Sequence, residues 1–407
     1  MRKKLLPAYL LTFVNVLGFS ILMPVLPFII ESYDADKWVY GLMLTLYAGF
    51  QFLGAPFLGT LSDSLGRKPI LLVSQAGTLL SWFIFLLALN IPDTGIFGIS
   101  LALIIIGASR ALDGITGGNI SVSNAYVSDI TTREEKSYIF GYLGGIAGLG
   151  LIIGPGIGGL SASTSFGFTG TLLAAIGISI FTLVAIIFWL KESHPIEKRV
   201  PRKKESIFNS FFILKRIKEI DPKPIIKLLF LTKLFFGIMM AFYMSTVALF
   251  LIDLFEFNEQ ELGLFMLIVG IFLAFNQAFL SRIVIKRIGE FRTLLIGLFL
   301  SAVGLICLTL TENFWFFIAF YYIMNLGLSL SFPTFNALIS IHADPKKQGA
   351  VMGVSESINS FALAAFLILG STLYDHLSYK VYYIIAALPT IAFLIAFFGV
   401  RKLKKVD

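Results

Sequence analysis

The stretch GTLSDSLGRKP, residues 59–69, places three charged residues and two glycines between two strongly apolar runs. Asp63, Arg67 and Lys68 supply the charges, and Gly59 and Gly66 are the glycines. A solvated turn between two buried helices would account for this composition, and so would a loop with a role of its own. Which of the two applies depends on what the flanking apolar runs are.

The composition indicates that lipid surrounds most of the chain. Of its 407 residues, 57% are hydrophobic and only 14% are charged, and the mean hydropathy is +0.88. A soluble domain carries about 25% charged residues. The single cysteine excludes a disulfide framework or a cysteine-based metal site. We therefore expect a membrane protein that is not an enzyme and that uses neither a metal nor another cofactor.

Twelve apolar stretches are long enough to cross a membrane, which takes about 20 mostly apolar residues in a helix. They lie near residues 5–30, 39–62, 69–90, 97–120, 137–160, 167–190, 225–252, 259–281, 293–311, 314–340, 349–373 and 379–400. The sequence thus predicts an all-α membrane protein with twelve transmembrane helices in two pseudo-symmetric six-helix bundles. The predicted domains are an N-terminal bundle over 1–190, a cytoplasmic linker over 191–224 and a C-terminal bundle over 225–407.

The basic residues predict how these spans are oriented. When the N-terminus is placed inside and the chain is threaded alternately, 28 of the 32 Lys and Arg residues fall on the inner side. Cytoplasmic loops of membrane proteins carry such an excess, so both termini and the linker are predicted to be cytoplasmic. The net charge of +8 therefore indicates topology and not nucleic-acid binding. Within the linker, SIFNSFFILKRI (206–217) is expected to lie on the membrane surface as a helix.

A weak internal repeat supports the division into two halves. SDSLGRKPILL (62–72) aligns with IKRIGEFRTLL (285–295), so that Gly66 matches Gly289. Each of these stretches closes the second span of its half. Duplicated halves are a common plan among membrane transporters, and the repeat therefore points towards that class.

Several motifs occur in order along the first half. LGFSILMPVLP (17–27) and LYAGFQFLGAPFLG (46–59) lie in the first two spans, and the loop at 59–69 has the form G-x-x-x-D-x-x-G-R-K. SRALDGITGGN (109–119) lies in the fourth span and GLGLIIGPGIGG (148–159) in the fifth. In these motifs the chain resembles the major facilitator superfamily and, within it, the tetracycline-exporter branch of the drug/proton antiporters. The resemblance covers nearly the whole chain.

The resemblance implies that the opening loop is a gate on the inner side of the membrane. The expected gating residues are Gly59, Asp63, Gly66, Arg67, Lys68 and Asp129. Arg67 is expected to pair with Asp129 at the inner end of the fourth span, and such contacts would hold an outward-open state. A solvated turn without gating remains the alternative.

The fifth span carries the motif that the resemblance associates with antiport, formed by Gly154, Pro155, Gly158 and Gly159. Small residues let helices approach closely in a membrane, and the proline weakens the helix locally. The family interpretation adds a bend that seals one exit and so favours exchange over leak. Close packing alone is the alternative.

Polar side chains inside the spans mark the expected solute path, because they are costly when they face lipid. The predicted substrate cavity is lined by Asn15, Gln51, Asn119, Lys233, Tyr243, Tyr322 and Asn325. Most of these lie in spans one, four, seven and ten, which line the central cavity in the superfamily. Lys233 could instead snorkel, extending its amine to the inner edge of the membrane. For Asn276 and Gln277, polar residues of the eighth span, hydrogen bonding between helices is the alternative to a role in the solute path.

Proton coupling is predicted at Asp113, Arg110 and Glu356. The two acids are the only ones well inside the spans, and Arg110 lies three residues before Asp113 on the same helix face. Asp113 would stay ionised while paired and take a proton when Arg110 turns to another partner. Glu356, which is expected to be buried, is the second candidate for the coupling acid. The alternative for Arg110 and Asp113 is an ion pair with a purely structural role. Asn15 and Ser81 stand where the tetracycline branch usually has acids.

Together these features predict a secondary active transporter that exports a small amphipathic compound or drug in exchange for protons, by alternating access. A metabolite or lipid facilitator or symporter of the same superfamily is the alternative. A receptor or an intramembrane enzyme is less consistent with the sequence, which has no Ser/His/Asp set in a catalytic pattern. The expected partners are a small-molecule substrate, protons and the lipid bilayer, with the chain acting as a monomer in a bacterial inner membrane.

Overall fold

The computed structural model describes residues 2–92, 95–96, 99–199, 217–218, 220–344 and 347–403, and these are mostly helical. The helices of the first half are α1 (Arg2–Ser20), α2 (Leu26–Glu31), α3 (Lys37–Leu65), α4 (Arg67–Ala88), α5 (Leu101–Gly117), α6 (Ile120–Asp129), α7 (Arg133–Ala162) and α8 (Phe168–Trp189). Two short antiparallel strands, β1 (Gly95–Ile96) and β2 (Ile99–Ser100), lie between α4 and α5.

The second half repeats the same kind of architecture. Its helices are α9 (Pro224–Phe255), α10 (Glu259–Phe275), α11 (Ser281–Ile288), α12 (Glu290–Cys307), α13 (Phe314–His342), α14 (Gln348–Leu377) and α15 (Val381–Leu403). A single π-helical turn, Asn276–Leu280, joins α10 to α11. Most of the predicted linker lies outside the described residues. So does the surface helix predicted over 206–217, except for residue 217.

These helices account for the predicted spans. In the described part of the chain, ten segments are long and apolar enough to cross a membrane. The last of them, Gln348–Val400, contains both α14 and α15, and the shorter apolar stretch Leu5–Ser20 adds the first span. The chain is therefore an all-α membrane protein with twelve spans, as the sequence predicts.

The first span differs from the continuous helix predicted over 5–30. α1 ends at Ser20, a turn follows, and the helix resumes at Leu26. Pro24 lies in the turn and Pro27 in the first turn of α2. A proline has no N–H with which to continue the helical hydrogen bonds and crowds the preceding turn, so the chain breaks here although its composition stays apolar.

The fourth span is longer than the predicted stretch 97–120. It begins at Leu101, bends at Gly118 and Asn119, and continues through α6 to Asp129. α6 has the sequence ISVSNAYVSD, which is too polar for a search based on hydropathy. Its helix is stabilised by packing, since Val122 and Val127 are fully buried.

Contacts among the described residues divide the chain into two compact units. The first covers Met1–Ser210 with Phe257–Leu267, and the second covers Phe211–Glu256 with Ile268–Asp407. The beginning of α10 thus packs within the first unit, where a Cβ atom on Gly263 would lie 2.6 Å from the carbonyl oxygen of Pro155. The end of α10 belongs to the second unit.

Glycines bring α3 and α5 together at backbone distance. A Cβ atom on Gly54 would lie 2.9 Å from Cα of Ile115, and one on Gly118 would lie 2.5 Å from the backbone nitrogen of Ala55. Close approach of this kind is how helices associate in lipid, where burial of apolar surface provides no drive between helices. This packing holds the fourth span, with its two charged residues, against the second.

Two glycines at equivalent positions of the repeat share an unusual backbone conformation. Gly66, between α3 and α4, has φ +102° and ψ 156°, and Gly289, between α11 and α12, has φ +81° and ψ 163°. Essentially only glycine adopts this region. The repeat found in the sequence therefore corresponds to the same sharp turn in both units.

Candidate functional site

A buried ion pair lies inside the first unit. Nη1 of Arg110 is 3.2 Å from Oδ2 of Asp113, and both residues are 3% exposed. Residues three apart on a helix lie on one face, and the Gly-mediated packing of α5 turns this face inward. Burial of charges in a protein or membrane interior is unfavourable unless they are paired, so each charge depends on the other.

The surroundings of this pair come from α4. The guanidinium of Arg110 lies over the ring of Trp82 at 4.6 Å and over the ring of Phe85 at 5.2 Å. The hydroxyl groups of Thr78 and Ser81 lie near the carboxylate of Asp113, although that of Ser81 donates to the carbonyl oxygen of Thr78 at 2.7 Å. The acid of the fourth span thus lies beside Ser81, the third-span position at which the tetracycline branch usually has its own acid.

A small internal cavity adjoins the ion pair. Its lining includes Asn15, Tyr47, Gln75, Thr78, Trp82 and Asp113. Several buried polar atoms in this region have no hydrogen-bond partner among the described residues, namely Oε1 of Gln75, Nε1 of Trp82, and Nε and Nη2 of Arg110. Nearly all buried polar groups in proteins are hydrogen-bonded, so these atoms are available to a ligand or to a change of partner by Arg110.

Three of the predicted cavity residues meet in the same unit. Nδ2 of Asn15 donates to Oδ1 of Asn119 at 2.5 Å, which joins α1 to the bend in the fourth span. Nε2 of Gln51 donates to the carbonyl oxygen of Gly117 at 3.3 Å and to the hydroxyl of Tyr47 at 3.2 Å. Asn15 and Tyr47 also line the cavity beside Asp113, so these polar groups and the ion pair form one cluster.

The predicted cation of the second unit is held by neutral partners. Lys233 on α9 is 8% exposed, and its Nζ donates to Oγ of Ser355 at 2.7 Å and to Oδ1 of Asn336 at 3.3 Å. Further along α9, the hydroxyl of Tyr243 is hydrogen-bonded to the hydroxyl of Tyr321. Lys233 is therefore bonded to the neighbouring helices of its own unit.

The other two cavity predictions in this unit make helix-to-helix contacts. The hydroxyl of Tyr322 donates to Oδ1 of Asn276 at 3.2 Å. Nδ2 of Asn325 donates to the carbonyl oxygen of Val269 at 3.3 Å. Both bonds tie α13 to the eighth span, one at its π-helical turn and the other at Val269 within α10.

The expectation that Glu356 is buried is wrong. Its side chain is exposed, and among the described residues its Oε1 accepts a long bond of 3.4 Å from Nδ2 of Asn359, while its charge interacts with that of Lys233. The neighbouring Ser355 is fully buried, and successive residues of a helix point in directions about 100° apart. Glu356 also belongs to the second unit, whereas Arg110 and Asp113 belong to the first.

The predicted gating loop forms a network of charges. Nη1 of Arg67 is 2.5 Å from Oδ1 of Asp63, and its Nε is 3.0 Å from Oδ2 of Asp129. Nη1 also donates to Oγ of Ser62 at 2.6 Å. Because Arg67 is only 6% exposed, its guanidinium is largely withdrawn from water and is neutralised by the two carboxylates.

The remaining loop residues contact the neighbouring helices. Nζ of Lys68 donates to the carbonyl oxygen of Ile187 near the end of α8 at 2.9 Å. A Cβ atom on Gly59 would lie 3.4 Å from Oγ of Ser121 on α6. The loop is thus packed against the fourth and sixth spans and is not a free solvated turn.

Glu192, which caps α4, is not among the residues predicted from the sequence. Its carboxylate accepts from the backbone N–H of Arg67 at 2.9 Å and from that of Lys68 at 3.1 Å. The first N–H groups of a helix lack partners within the helix and favour negative charge. Next to it, Ser193 donates to Oδ2 of Asp129 at 3.1 Å. The only sequence signal is an acid three residues after the end of the sixth span.

The glycine motif of the fifth span lies between two neighbouring helices. A Cβ atom on Gly154 would lie 3.1 Å from the backbone nitrogen of Ile21, just after α1. One on Gly159 would lie 3.0 Å from Cα of Gly263 on α10. Pro155 is inside α7, which continues through it to Ala162. Gly158 also contacts Ile21, so the motif permits close packing on both sides.

Twelve spans with a charged pair buried among them define a membrane transport protein of two repeated units. The sequence model of the Major Facilitator Superfamily matches residues 8–366 and 279–406. The chain therefore belongs to the major facilitator superfamily.

Relatives of known function are similar over most of their length. The tetracycline resistance protein, class C, of Escherichia coli is 30% identical over 353 residues, which cover 85% of this chain and 83% of that protein. Multidrug resistance protein 2 of Bacillus subtilis (strain 168) is 28% identical over 364 residues, covering 89% and 86%. The chain is thus a transporter related to tetracycline and multidrug exporters.

Solved structures share the fold. The human organic anion transporter MFSD10 (TETRAN) has a TM-score of 0.71 with 21% identity, covering 97% of this chain and 99% of that one. A bacterial homologue of the human lysosomal transporter Spinster, in an inward-facing and unoccupied conformation, has a TM-score of 0.76 with 13% identity, covering 98% and 97%. At these identities the likeness concerns the fold alone.

Proposed function

We propose that the protein is a secondary active transporter that exports a small amphipathic compound or drug in exchange for protons, by alternating access. The observation that carries this proposal is the buried pair of Arg110 and Asp113 beside a small polar cavity. Similarity to tetracycline and multidrug exporters supports the substrate class.

The geometry of the pair suggests how a proton is exchanged. When Asp113 takes a proton, the guanidinium of Arg110 loses its counter-charge while it remains buried, which is strongly unfavourable. Arg110 then needs another partner, and Nε and Nη2 are free to bind one. Proton and substrate therefore compete for the same charges, and this competition is what an exchanger requires.

Alternating access would use the Arg67 network as a latch at the inner side. Arg67 joins Asp63 to Asp129 and thereby connects α3, the start of α4 and the end of α6. Breaking these two ion pairs would free the loop when the protein changes its conformation. Asn15, Gln51, Asn119 and Lys233 are the residues of the substrate path best supported by their burial or bonding.

The proposed organisation places a six-helix bundle over 1–190, a cytoplasmic linker over 191–224 and a second bundle over 225–407. Both termini face the cytoplasm of a bacterial inner membrane, and the chain works as a monomer. The excess of basic residues on the inner side supports this orientation.

One observation favours the second candidate, a metabolite or lipid facilitator or symporter. Asn15 and Ser81 are neutral at the positions where the tetracycline branch usually has acids. A transporter that had lost these acids without replacement would have fewer groups with which to bind protons. Asp113 lies beside Ser81 and so supplies an acid next to a position where the branch usually has one. For this reason we favour exchange.

Transport by the purified protein in liposomes tests the proposal. With tetracycline or ethidium as the probe and an imposed pH gradient, we expect uphill movement of the probe against the direction of proton flow, abolished by a protonophore. Movement of the probe with the protons would indicate symport, and downhill movement that ignores the gradient would indicate facilitation. Either of these two results would contradict the proposed exchange.

A further inference from the structure

The turn between the eighth and ninth spans carries an excess of positive charge. Its sequence SRIVIKRIGEFR (281–292) contains four basic residues and one acid, Glu290. The basic residues are Arg282, Lys286, Arg287 and Arg292, and all four are exposed. In the described part of the chain, none of their side chains makes an ion pair or a hydrogen bond. The positive charge of this turn is therefore not neutralised by ion pairs within the described chain.

The equivalent turn of the first unit is neutralised by the protein itself. Arg67 is buried and paired with two carboxylates, and a third carboxylate, that of Glu192, would lie 2.6 Å from a Cβ atom on Gly66. At the second turn, a Cβ atom on Gly289 would meet no atom within 4 Å. An anion that approached Gly289 would therefore find open space and positive charge.

An exposed apolar stripe runs along α12 away from this turn. Arg292, Ile296 and Phe299 are spaced four and three residues apart, so they lie on one face of the helix. Ile296 is 41% exposed and Phe299 is 55% exposed, whereas Leu294 and Leu298 on the other side are fully buried. In a membrane-spanning helix such an exposed apolar face contacts lipid. Arg292 therefore lies at the end of a lipid-facing stripe.

Aromatic rings of the last span extend this stripe sideways. The ring of Phe299 lies 6.3 Å from that of Phe393 on α15, and Phe393 stacks on Phe397 at 5.7 Å. Both rings on α15 are half-buried, so part of each remains accessible. The three rings form a continuous apolar surface across two neighbouring helices, and a hydrocarbon chain can lie against it.

We infer that the turn at Gly289 and the adjoining face of α12 and α15 bind an anionic phospholipid. The phosphate group lies against Arg287 and Arg292, and an acyl chain lies along Ile296 and Phe299. Clusters of basic residues directly beside a membrane-spanning helix attract anionic lipids, and the planar guanidinium of arginine suits a phosphate. The occupant is a lipid and not a soluble anion, because the charges adjoin an apolar stripe that a soluble anion would not cover.

Fluorescence quenching in vesicles tests the position of the lipid. Ile296→Trp places an indole on the stripe. Val73→Trp is the matched control, because Val73 follows Gly66 by as many residues as Ile296 follows Gly289 and is also exposed. The vesicles are phosphatidylcholine with a small fixed fraction of phosphatidylglycerol or phosphatidylcholine whose acyl chains are brominated, and quenching is measured on the fluorescence in excess of the wild type.

The expected result is a lipid preference at one of the two positions only. Brominated phosphatidylglycerol should quench Ile296→Trp about twofold or more strongly than brominated phosphatidylcholine, because the basic turn enriches the anionic lipid beside it. The two lipids should quench Val73→Trp equally, since the charges of the first turn are already neutralised.

Removal of two charges tests the headgroup contact in the Ile296→Trp background. Arg287→Gln combined with Arg292→Gln should raise the fraction of phosphatidylglycerol needed for half-maximal quenching about tenfold. Lys223→Gln combined with Lys227→Gln is the control, because it removes two exposed charges beside the start of α9 in the same unit. The control should keep the preference. All four replaced side chains are exposed, so both variants should fold.

Four results would overturn the inference. Equal quenching of Ile296→Trp by the two lipids would exclude the site, and an equal preference in Val73→Trp would show that anionic lipid gathers around the whole protein. An unchanged preference after loss of Arg287 and Arg292 would exclude the headgroup contact. Loss of the preference in inorganic phosphate, but not in chloride of the same ionic strength, would identify a site for a soluble anion.

Discussion

The turn at Gly66 in the first unit and the turn at Gly289 in the second have nearly the same backbone. Both glycines have positive φ and extended ψ, and both join the second span of a unit to its third. Their environments differ, because a Cβ atom on Gly66 would lie 2.6 Å from Oε2 of Glu192, whereas one on Gly289 would meet no atom within 4 Å. The backbone conformation of the turn is therefore common to both units, whereas close contacts around the glycine are described only for the first.

The charges beside the two turns are reversed. The repeat aligns Asp63 with Lys286 and Arg67 with Glu290. In the first unit the acid and the base form an ion pair, whereas the described contacts include no ion pair between Lys286 and Glu290. Duplication has therefore preserved the turn and not its charge network.

The spans show the same contrast. In the first unit, Arg110 and Asp113 form an ion pair that is withdrawn from solvent. In the second, Lys233 is bonded to neutral side chains, and Tyr243 bonds to another hydroxyl. Within the spans, the first unit thus carries a buried ion pair in direct contact, whereas the described hydrogen bonds of Lys233 and Tyr243 in the second are to hydroxyl and amide groups.

The largest expected effect tests which unit holds the coupling acid. Asp113→Asn removes the proposed proton acceptor, so we expect it to abolish uphill accumulation of tetracycline or ethidium in liposomes while some downhill exchange remains. Glu356→Gln, in the second unit, should still accumulate the probe. If Asp113→Asn pumped uphill and Glu356→Gln did not, the coupling site would lie in the second unit. If both pumped, neither acid would be the coupling group.

The next effect separates the two turns. Alanine at Gly66 or Gly289 would strain the backbone by about 1–3 kcal/mol, so both variants should unfold at lower temperature in detergent. Only Gly66→Ala also displaces Glu192 from the end of α4, and it alone should lose most of its transport activity. Equal activities of the two variants would mean that the turns differ in nothing that transport requires.

A smaller effect sharpens the comparison of charges. Asp63 is 48% exposed on its side chain, and exposed ion pairs contribute about 0–1 kcal/mol to stability. Asp63→Asn should therefore fold normally, yet it should slow transport because it releases one side of the Arg67 network. The matched Lys286→Gln should transport at the wild-type rate. Wild-type flux through Asp63→Asn would leave the loop without a gating role.

The smallest effect concerns the cap on α4. Removal of a helix cap costs about 0.5–2 kcal/mol, so Glu192→Ala should lower the unfolding temperature slightly and weaken gating. Glu197→Ala is the control, because Glu197 is exposed in the same segment. Thermal unfolding and transport rates measure both. Identical behaviour of the two variants would show that the cap has no role beyond local order.

The sequence predicted the membrane-spanning segments, because hydropathy and the placement of Lys and Arg follow directly from the cost of placing charge in lipid. It also predicted the contact of Arg67 with Asp129, which the structure places at 3.0 Å. It could not place the helix breaks at Pro24 or the continuation to Asp129, since these depend on local backbone geometry and on packing of a polar helix.

The site was less accessible from the sequence, because its partners come from different helices. Nothing near Asp113 in the chain indicates that Ser81 and Trp82 of α4 surround the ion pair. The position of a residue around the helix axis also decides whether its side chain is exposed. For this reason Glu356 is exposed although the neighbouring Ser355 is buried. Polarity alone marks a residue as unusual, and only the packed helices show what it contacts.

The cap on α4 has a practical consequence for producing the protein as two co-expressed fragments. A fragment that ended at residue 190, with the sixth span, would lack Glu192 and Ser193 and would leave the backbone of Arg67 and Lys68 without its acceptor. The same fragment would lack Arg199, whose Nη2 would lie 2.7 Å from a Cβ atom on Gly66. Cutting the chain beyond residue 199 keeps these contacts in one piece, so the first fragment should carry the beginning of the connecting segment as part of its own structure.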